Sequence, residues 1–385
     1  MAAPRLRTQI ATITAARTLI NTSYRMVYPF LPTFARALGV DVEAIALAVT
    51  ARSSLGLFSP AFGTLADRLG RRAAMLLGVG AVGLSLLLMT ALPVYAAFVV
   101  GVVLMTAGKI TYDTAMQAFV GDQVAYERRG LAIGITELAW SLAFLVGIPL
   151  AGWLIARAGW NAPFPVLAIL LAGCGWLLWR LLPHDGAPGT HTPLALPAAI
   201  RIITANRPAL AGLGISLLTS MGNELVSIVF GLWLEGSFGL QIAALGAASI
   251  VIGMAEMAGE GAVIGLVDRL GKRRAVAAGL AGSVFTALVL PLLGGSITGA
   301  LVGLFLFYLT FEFTLVTVIA LMTELAPRTR ATLMAGNVAF QSIGRAIGAP
   351  LGTALFAGGI LLNGGGAMVA NLLALTLLLA FIPDQ

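Results

Sequence analysis

Twelve apolar windows follow one another along the chain, at about residues 9–34, 44–66, 73–93, 95–120, 131–155, 162–182, 209–234, 243–267, 275–293, 300–322, 333–356 and 364–382. A helix needs about 20 apolar residues to cross a bilayer, and each backbone N–H and C=O inside it must be paired within the segment. Such a series can fold only as a bundle of membrane-spanning helices. Composition closes the alternatives: of 385 residues, 59% are hydrophobic and 10% charged, against about 25% charged in soluble domains. That is more apolar surface than one water-soluble core can bury, and the same proportions exclude a disordered or collagen-like chain. The expected class is an all-α membrane protein with twelve transmembrane helices.

The longest polar interruption, Pro183–Pro208, is marked by Pro and Gly as a linker. It divides the chain into six-helix bundles at 1–182 and 209–385, with a cytoplasmic linker at 183–208. His184 and His191 fall in that linker with no further ligand nearby, so they are expected to be solvated loop residues and no metal site is expected. Cys174 is the single cysteine, which excludes an intramolecular disulfide. The first apolar stretch contains Arg17 and Arg25 and lacks a small-residue cleavage pattern, so no cleavable signal peptide is expected.

A net charge of +7 would suggest a nucleic-acid partner in a soluble protein, but in a membrane protein basic residues gather in loops that stay in the cytoplasm. Here Arg5, Arg7, Arg68, Arg71, Arg72, Arg128, Arg129, Arg180, Arg201, Arg207, Arg269, Lys272, Arg273, Arg274, Arg328 and Arg330 fall on one side of the alternating spans, and only Arg36 and Arg157 on the other. Both termini are therefore expected in the cytoplasm, the protein in the cytoplasmic (inner) membrane, and nucleic acid is not an expected partner.

The two halves are related in sequence. Asp67-Arg68-Leu69-Gly70-Arg71-Arg72 recurs 201 residues later as Asp268-Arg269-Leu270-Gly271-Lys272-Arg273, and in the same register Arg129 meets Arg330, Ser141 meets Ser342, Gly147 meets Gly348 and Pro149 meets Pro350. A parallel repeat of two six-helix halves is a transporter architecture with its site near mid-membrane.

These residues resemble the major facilitator superfamily. Gly63-Thr64-Leu65-Ala66-Asp67-Arg68-Leu69-Gly70-Arg71-Arg72 is similar to that family's signature loop between its second and third helices, and the loop Asp122…Arg129-Gly130 also looks familial. The second copy has Ile264 where the glycine would fall. Gly134…Gly147-Ile148-Pro149-Leu150-Ala151-Gly152 resembles the fifth-helix motif of the family's drug or sugar antiporters, with Ile148 inserted between glycine and proline; Lys109 stands near where the fourth-helix motif has arginine. The resemblance implies a facilitator fold of two pseudo-symmetric bundles and places Asp67 against the eleventh span and Asp268 against the fifth as gating latches. Physically, Gly63 can bring helix backbones close, and a carboxylate can accept N–H groups at a helix N-terminus. Gly63, Asp67, Arg68, Gly70, Arg71, Arg72, Asp122, Arg129, Gly147, Pro149, Asp268, Arg269, Gly271 and Arg273 form the expected gating set. Arg68, Arg71 and Arg72 also serve as topology anchors.

Ionisable groups at membrane depth cost roughly 2.5–3.5 kcal/mol each on insertion scales, which marks them as functional candidates. The first half holds Arg17, Arg25, Arg52 and Lys109 against Asp113 and Glu137; the second holds Glu224, Glu256, Glu260 and Glu312 against Arg345. This polarisation suits a zwitterion, or a cation opposite protonatable carboxylates. Arg17, Asn21, Arg25 and Tyr28 follow helical spacing on one face, and Lys109 and Asp113 are four apart with Tyr112 near them. Glu256 and Glu260, also four apart, form a like-charged pair suited to carrying a proton. Ser220, Glu224 and Ser227 share a face, as do Tyr308 with Glu312, and Asn337, Gln341 and Arg345. Inter-helix pairing or snorkelling toward the interface is the competing role for all these charges. Trp153, Trp160, Trp176, Trp179 and Trp233 are expected as interface anchors, and Trp140, beside Glu137, as a surface on which substrate could stack.

No glycine loop with lysine for a nucleotide and no Cys/His cluster occurs in the sequence, so neither ATP drive, a cofactor nor an enzymatic centre is expected. The leading expectation is a proton-coupled exporter of a small organic compound, working as a monomer by alternating access. Its rivals are uptake or facilitated transport of an organic anion held by Arg17, Arg25 or Arg52, and a non-transporting membrane sensor on the same fold.

Overall fold

The computed structural model describes residues 4–59, 61–62, 68–124, 126–183, 196–326 and 330–383. Among them the chain is helical with no strand. In the first half lie α1 (Pro4–Arg25), α2 (Leu31–Leu38), α3 (Val42–Ser54), α4 (Arg71–Ala91), α5 (Tyr95–Gln123), α6 (Tyr126–Leu142), α7 (Ile148–Ala158) and α8 (Pro163–Leu181). After them come α9 (Leu196–Ala205), α10 (Arg207–Ser227), α11 (Phe230–Phe238), α12 (Ile242–Leu270), α13 (Lys272–Leu293), α14 (Ile297–Leu325), α15 (Arg330–Phe356) and α16 (Ile360–Phe381). They group into two compact units, Met1–Thr190 with Gln241–Gly253, and His191–Leu240 with Met254–Gln385.

Nine of the described helical stretches are long and apolar enough to cross a membrane. The other three of the twelve windows hold α1 with α2, α3 with the 3-10 turn Leu55–Phe58, and α15. The first and last of these carry polar residues of the interior, among them Arg17, Arg25, Asn337 and Arg345, and the second is described only in part. The molecule is inside-out relative to a soluble protein. Ile169, Leu292 and Phe285 are exposed, at 72%, 71% and 63%, while Arg52 is fully buried and Glu224 and Glu256 are each 1% exposed. Apolar surface of that extent needs an apolar solvent.

The repeat is written into the backbone. Each half breaks its first span at the same place: α1 stops at Arg25 and α2 begins at Leu31, and α10 stops at Ser227 and α11 begins at Phe230. Among the described residues every positive φ is a glycine, and these fall in matching places: Gly39 (65°) and Gly239 (64°), Gly70 (88°) and Gly271 (77°), Gly159 (95°) and Gly359 (91°). A side chain at Gly70 or Gly271 would strain the turn that starts α4 or α13.

Three expectations change. Tyr28 does not continue the Arg17 face, because the helix ends at Arg25 and Tyr28 lies in the turn that Pro29 favours. The linker is not wholly irregular: Leu196–Ala205 forms α9, with Pro197 in its first turn, where a missing N–H costs nothing. Ile203 of α9 packs into the apolar core formed by α10, α13, α14 and α16. Trp233 is no interface anchor; it is 3% exposed and packs on Phe238 and Gly294. Trp153, Trp176 and Trp179 are about half exposed, and Trp160 stacks edge-on with Phe34 and Phe164. His184, His191, Gly63 and Asp67 lie outside the described residues.

Candidate functional site

In the first unit α1, α5 and α6 bring a charged cluster together. Arg17 Nε pairs with Asp113 Oδ1 at 3.0 Å and Arg17 Nη1 with Glu137 Oε1 at 2.9 Å. Nη1 also donates to the Thr136 carbonyl at 2.8 Å. Lys109 Nζ pairs with Asp113 Oδ2 at 2.5 Å. Two of the four serve two partners each: Arg17 bridges two carboxylates and Asp113 bridges two cations. The cluster is graded in exposure, from 6% for the Arg17 side chain and 19% for Asp113 to 38% for Glu137. Its Glu137 edge is the part open to a solute.

Two further arginines lie against aromatic rings. The Arg25 guanidinium sits between Trp140 and Phe144, 4.0 and 3.9 Å from their centroids, and donates to the Trp140 carbonyl at 3.1 Å. Arg52 stacks on Tyr24 at 3.9 Å, lies 5.2 Å from the Tyr28 ring, and donates to the Tyr24 carbonyl at 2.6 Å. Lys109 Nζ is 5.4 Å from the Trp140 centroid. A desolvated cation over an aromatic face gains about 2 kcal/mol. With Arg25 and Arg52 counted, the cluster carries an excess of positive charge. Between Arg17 and Arg25, Asn21 is fully buried, and neither its amide oxygen nor its nitrogen has a hydrogen-bond partner among the described residues.

Helix geometry explains the close approach. A π-helical turn, Ala143–Gly147, separates α6 from α7, with Pro149 at the start of α7. Gly147 faces the Thr22 side chain so closely that a Cβ there would overlap its hydroxyl. Such wide turns occur often at functional sites. Tyr112 does not line the charged cluster. It is fully buried, its hydroxyl donates to the Ile13 carbonyl at 2.8 Å, and it packs against Gly78.

The second unit carries the opposite charge. Glu224 on α10, Glu256 on α12 and Glu312 on α14 are 1%, 1% and 4% exposed. Gly344, Gly348 and Gly352 form a stripe on α15 that faces Leu217, Glu224 and Leu225 of α10. Small residues at that spacing let membrane helices approach closely. Gly259, on α12, similarly admits the Glu312 Cβ, which would lie 3.0 Å from a Cβ added there. Beside the carboxylates, Ser227 Oγ and Tyr308 Oη hydrogen-bond at 2.7 Å, and the Ser216 hydroxyl donates to Asn337 Oδ1 at 2.5 Å. Glu260, Gln341 and Arg345 are only partly buried, so the Asn337 face is buried at one end alone. Ser220 is fully buried, and its hydroxyl has no partner among the described residues.

The repeated loop staples helix ends in each unit. Arg71 Nε pairs with Asp122 at 3.1 Å, and Lys272, its counterpart, pairs with Glu324. Arg72 donates to the Trp179 carbonyl at the end of α8, and Arg273 donates to the Ile382 carbonyl just past α16 at 2.5 Å. Both arginines supply donors to carbonyls that a helix terminus leaves open. Arg68 and Arg269 are exposed. Arg129 falls in the first turn of α6 and Asp268 in the last turn of α12. Glu324 was not singled out by sequence reasoning, although it follows Lys272 at nearly the interval by which Asp122 follows Arg71.

The sequence pattern of the Major Facilitator Superfamily matches residues 13–349. An uncharacterised MFS-type transporter of Bacillus subtilis strain 168, YbcL, is 22% identical over 337 residues, covering 87% of this chain and 85% of its own. Multidrug resistance protein 2 of the same organism is 23% identical over 339 residues, covering 86% and 84%. The crystal structure of the human organic anion transporter MFSD10 superposes with a TM-score of 0.70 at 20% identity, covering 98% of this chain and 100% of the other. A match spanning most of the chain, two buried polar clusters and a repeated helix-stapling loop lead to one conclusion: the chain is a multi-pass membrane transporter belonging to the Major Facilitator Superfamily.

Proposed function

We propose that this chain is a proton-coupled secondary transporter that exports a small organic compound by alternating access, in exchange for protons. The observation that carries this reading is the burial of Glu224, Glu256 and Glu312 in one unit. A carboxylate so far from water is costly as an anion, and taking up a proton relieves the cost. Glu256, with Glu260 one turn away on the same helix, is the carrier in this scheme. Glu137, at the open edge of the Arg17 cluster, and Trp140 contact the substrate. A relative named as a multidrug resistance protein supports the direction of transport. The bundles at 1–182 and 209–385 are the rocking bodies, a monomer is the working unit, and both termini lie in the cytoplasm with the protein in the inner membrane.

A second reading, transport of an organic anion, is favoured by the burial of Arg25 and Arg52 against aromatic rings in the first unit and by similarity in fold to the human organic anion transporter MFSD10. Here Arg25 and Arg52 exchange part of their aromatic contact for the anion.

Flux into proteoliposomes under an imposed pH gradient tests both readings. A cationic or zwitterionic compound moving against its gradient when protons flow the opposite way supports export by exchange. Anion flux indifferent to the pH gradient overturns proton coupling and supports the second reading. Absence of flux for any compound that stabilises the purified protein overturns both and leaves a sensor.

A further inference from the structure

In the second unit a cleft of about 430 Å³ opens at the α12–α13 turn, lined by Val267, Leu270, Gly271, Lys272, Arg273, Arg274, Leu321, Glu324, Ile382 and Pro383. Four spans end around it. α12 stops at Leu270, α13 starts at Lys272, Glu324 is in the last turn of α14, and Ile382 directly follows α16. Helices that cross a bilayer and stop together put their ends at headgroup level, so the cleft lies there.

Its lining has two characters. Val267, Leu270, Leu321 and Ile382 make an apolar wall, and Leu270 and Leu266 beside it are exposed at 40% and 43%. Lys272, Arg273 and Arg274 make a cationic wall, with Glu324 the one carboxylate in the lining among the described residues. These three cations occupy the first turn of a helix, the end whose dipole already disfavours positive charge. The repeat shows which of them the fold needs. Lys272 and Arg273 make the same two staples as Arg71 and Arg72. Arg274 stands where the first half has Ala73. It is exposed and has no hydrogen bond or ion pair among the described residues.

We propose that this cleft binds the headgroup of an anionic phospholipid, with Arg274 and Lys272 on the phosphate and the Leu270–Ile382 wall against the first acyl segments. A phosphate offsets the surplus charge and the helix dipole together. The apolar wall, continuous with surface that faces lipid tails, favours a lipid over a free anion. Basic pockets between transmembrane helices hold acidic lipid headgroups in this way.

The test is native mass spectrometry of the full chain equilibrated with phosphatidylglycerol, with phosphatidylcholine, or with inorganic phosphate. Wild type is expected to retain phosphatidylglycerol in preference to phosphatidylcholine. Arg274→Ala, which installs the residue of the first half, should weaken retention about five-fold, the worth of one cation at a membrane surface. Arg274→Lys should restore most of it. Arg157→Ala, at a basic residue on another element, should leave it unchanged. Because Arg274 is exposed and makes no internal bond, the Ala variant should unfold at the wild-type temperature, which separates lost binding from misfolding. Equal retention by Arg274→Ala, or equal retention of phosphatidylcholine, overturns the proposal. Displacement of the lipid by inorganic phosphate that itself binds in an Arg274-dependent way overturns the lipid assignment in favour of a free anion.

Discussion

Arg17 and Asp113 lie 96 positions apart and meet at 3.0 Å, with side chains 6% and 19% exposed. Because Asp113 also holds Lys109, its carboxylate takes two cations, Arg17 of α1 and Lys109 of its own helix. Asp113→Asn is therefore expected to cost about 3 kcal/mol, the lower part of the range for removing one partner of a buried pair. Thermal unfolding in detergent measures it. The double variant Arg17→Gln with Asp113→Asn should cost less than the two single changes added together, and additivity would show that the pair does not act as a unit.

Tyr112 sits beside this cluster in sequence and apart from it in function. Its hydroxyl serves the Ile13 carbonyl, so Tyr112→Phe should lower stability by about 1 kcal/mol, the net worth of one hydrogen bond. Substrate flux at permissive temperature should match wild type. A loss of flux without a loss of stability would return Tyr112 to the substrate site.

Gly348 meets the Glu224 side chain and the Met221 carbonyl at 2.7 and 3.0 Å from the place a Cβ would take. Gly348→Val must push α15 away from α10 and should cost about 1–3 kcal/mol, as overpacking generally does. Gly83→Val, at a helical glycine with open space around it, is the matched comparison and should change unfolding by less than about 0.5 kcal/mol. Equal effects of the two would mean that α10 and α15 are not held this closely.

Glu256→Gln keeps the shape and part of the hydrogen bonding of a residue that is 1% exposed but cannot take up or release a proton. Under the proposed exchange mechanism it should abolish flux driven by a pH gradient while substrate binding persists and loses its pH dependence. Proteoliposome flux alongside binding at several pH values measures both. Full gradient-driven flux in this variant would remove Glu256 as the carrier and point to Glu312 or Asp113.

Much of this protein follows from the order of its residues. A backbone in hydrocarbon must pair its polar groups locally, so runs of apolar residues dictate an all-helical membrane fold. The recurrence of Asp67–Arg72 at Asp268–Arg273 fixed the pairing of halves, and the i,i+4 spacing of Lys109 and Asp113 fixed that ion pair. These are local or repeated features, and local geometry decides them.

Tertiary structure decided which partner each charge would take. Arg17 and Arg25 share one face of one helix; Arg17 bridges Asp113 and Glu137, and Arg25 lies against the Trp140 and Phe144 rings. The difference lies in what α5 and α6 present at each height, with a π-helical turn and Gly147 setting how closely α1 approaches. Trp233, buried where an interface anchor was expected, Tyr112, turned to a carbonyl, and Glu324, paired with Lys272, were decided in the same way. Which side chain faces which neighbour depends on helix rotation and on approach distance. Both are set by small residues on the neighbouring helix rather than by the residue whose role they determine.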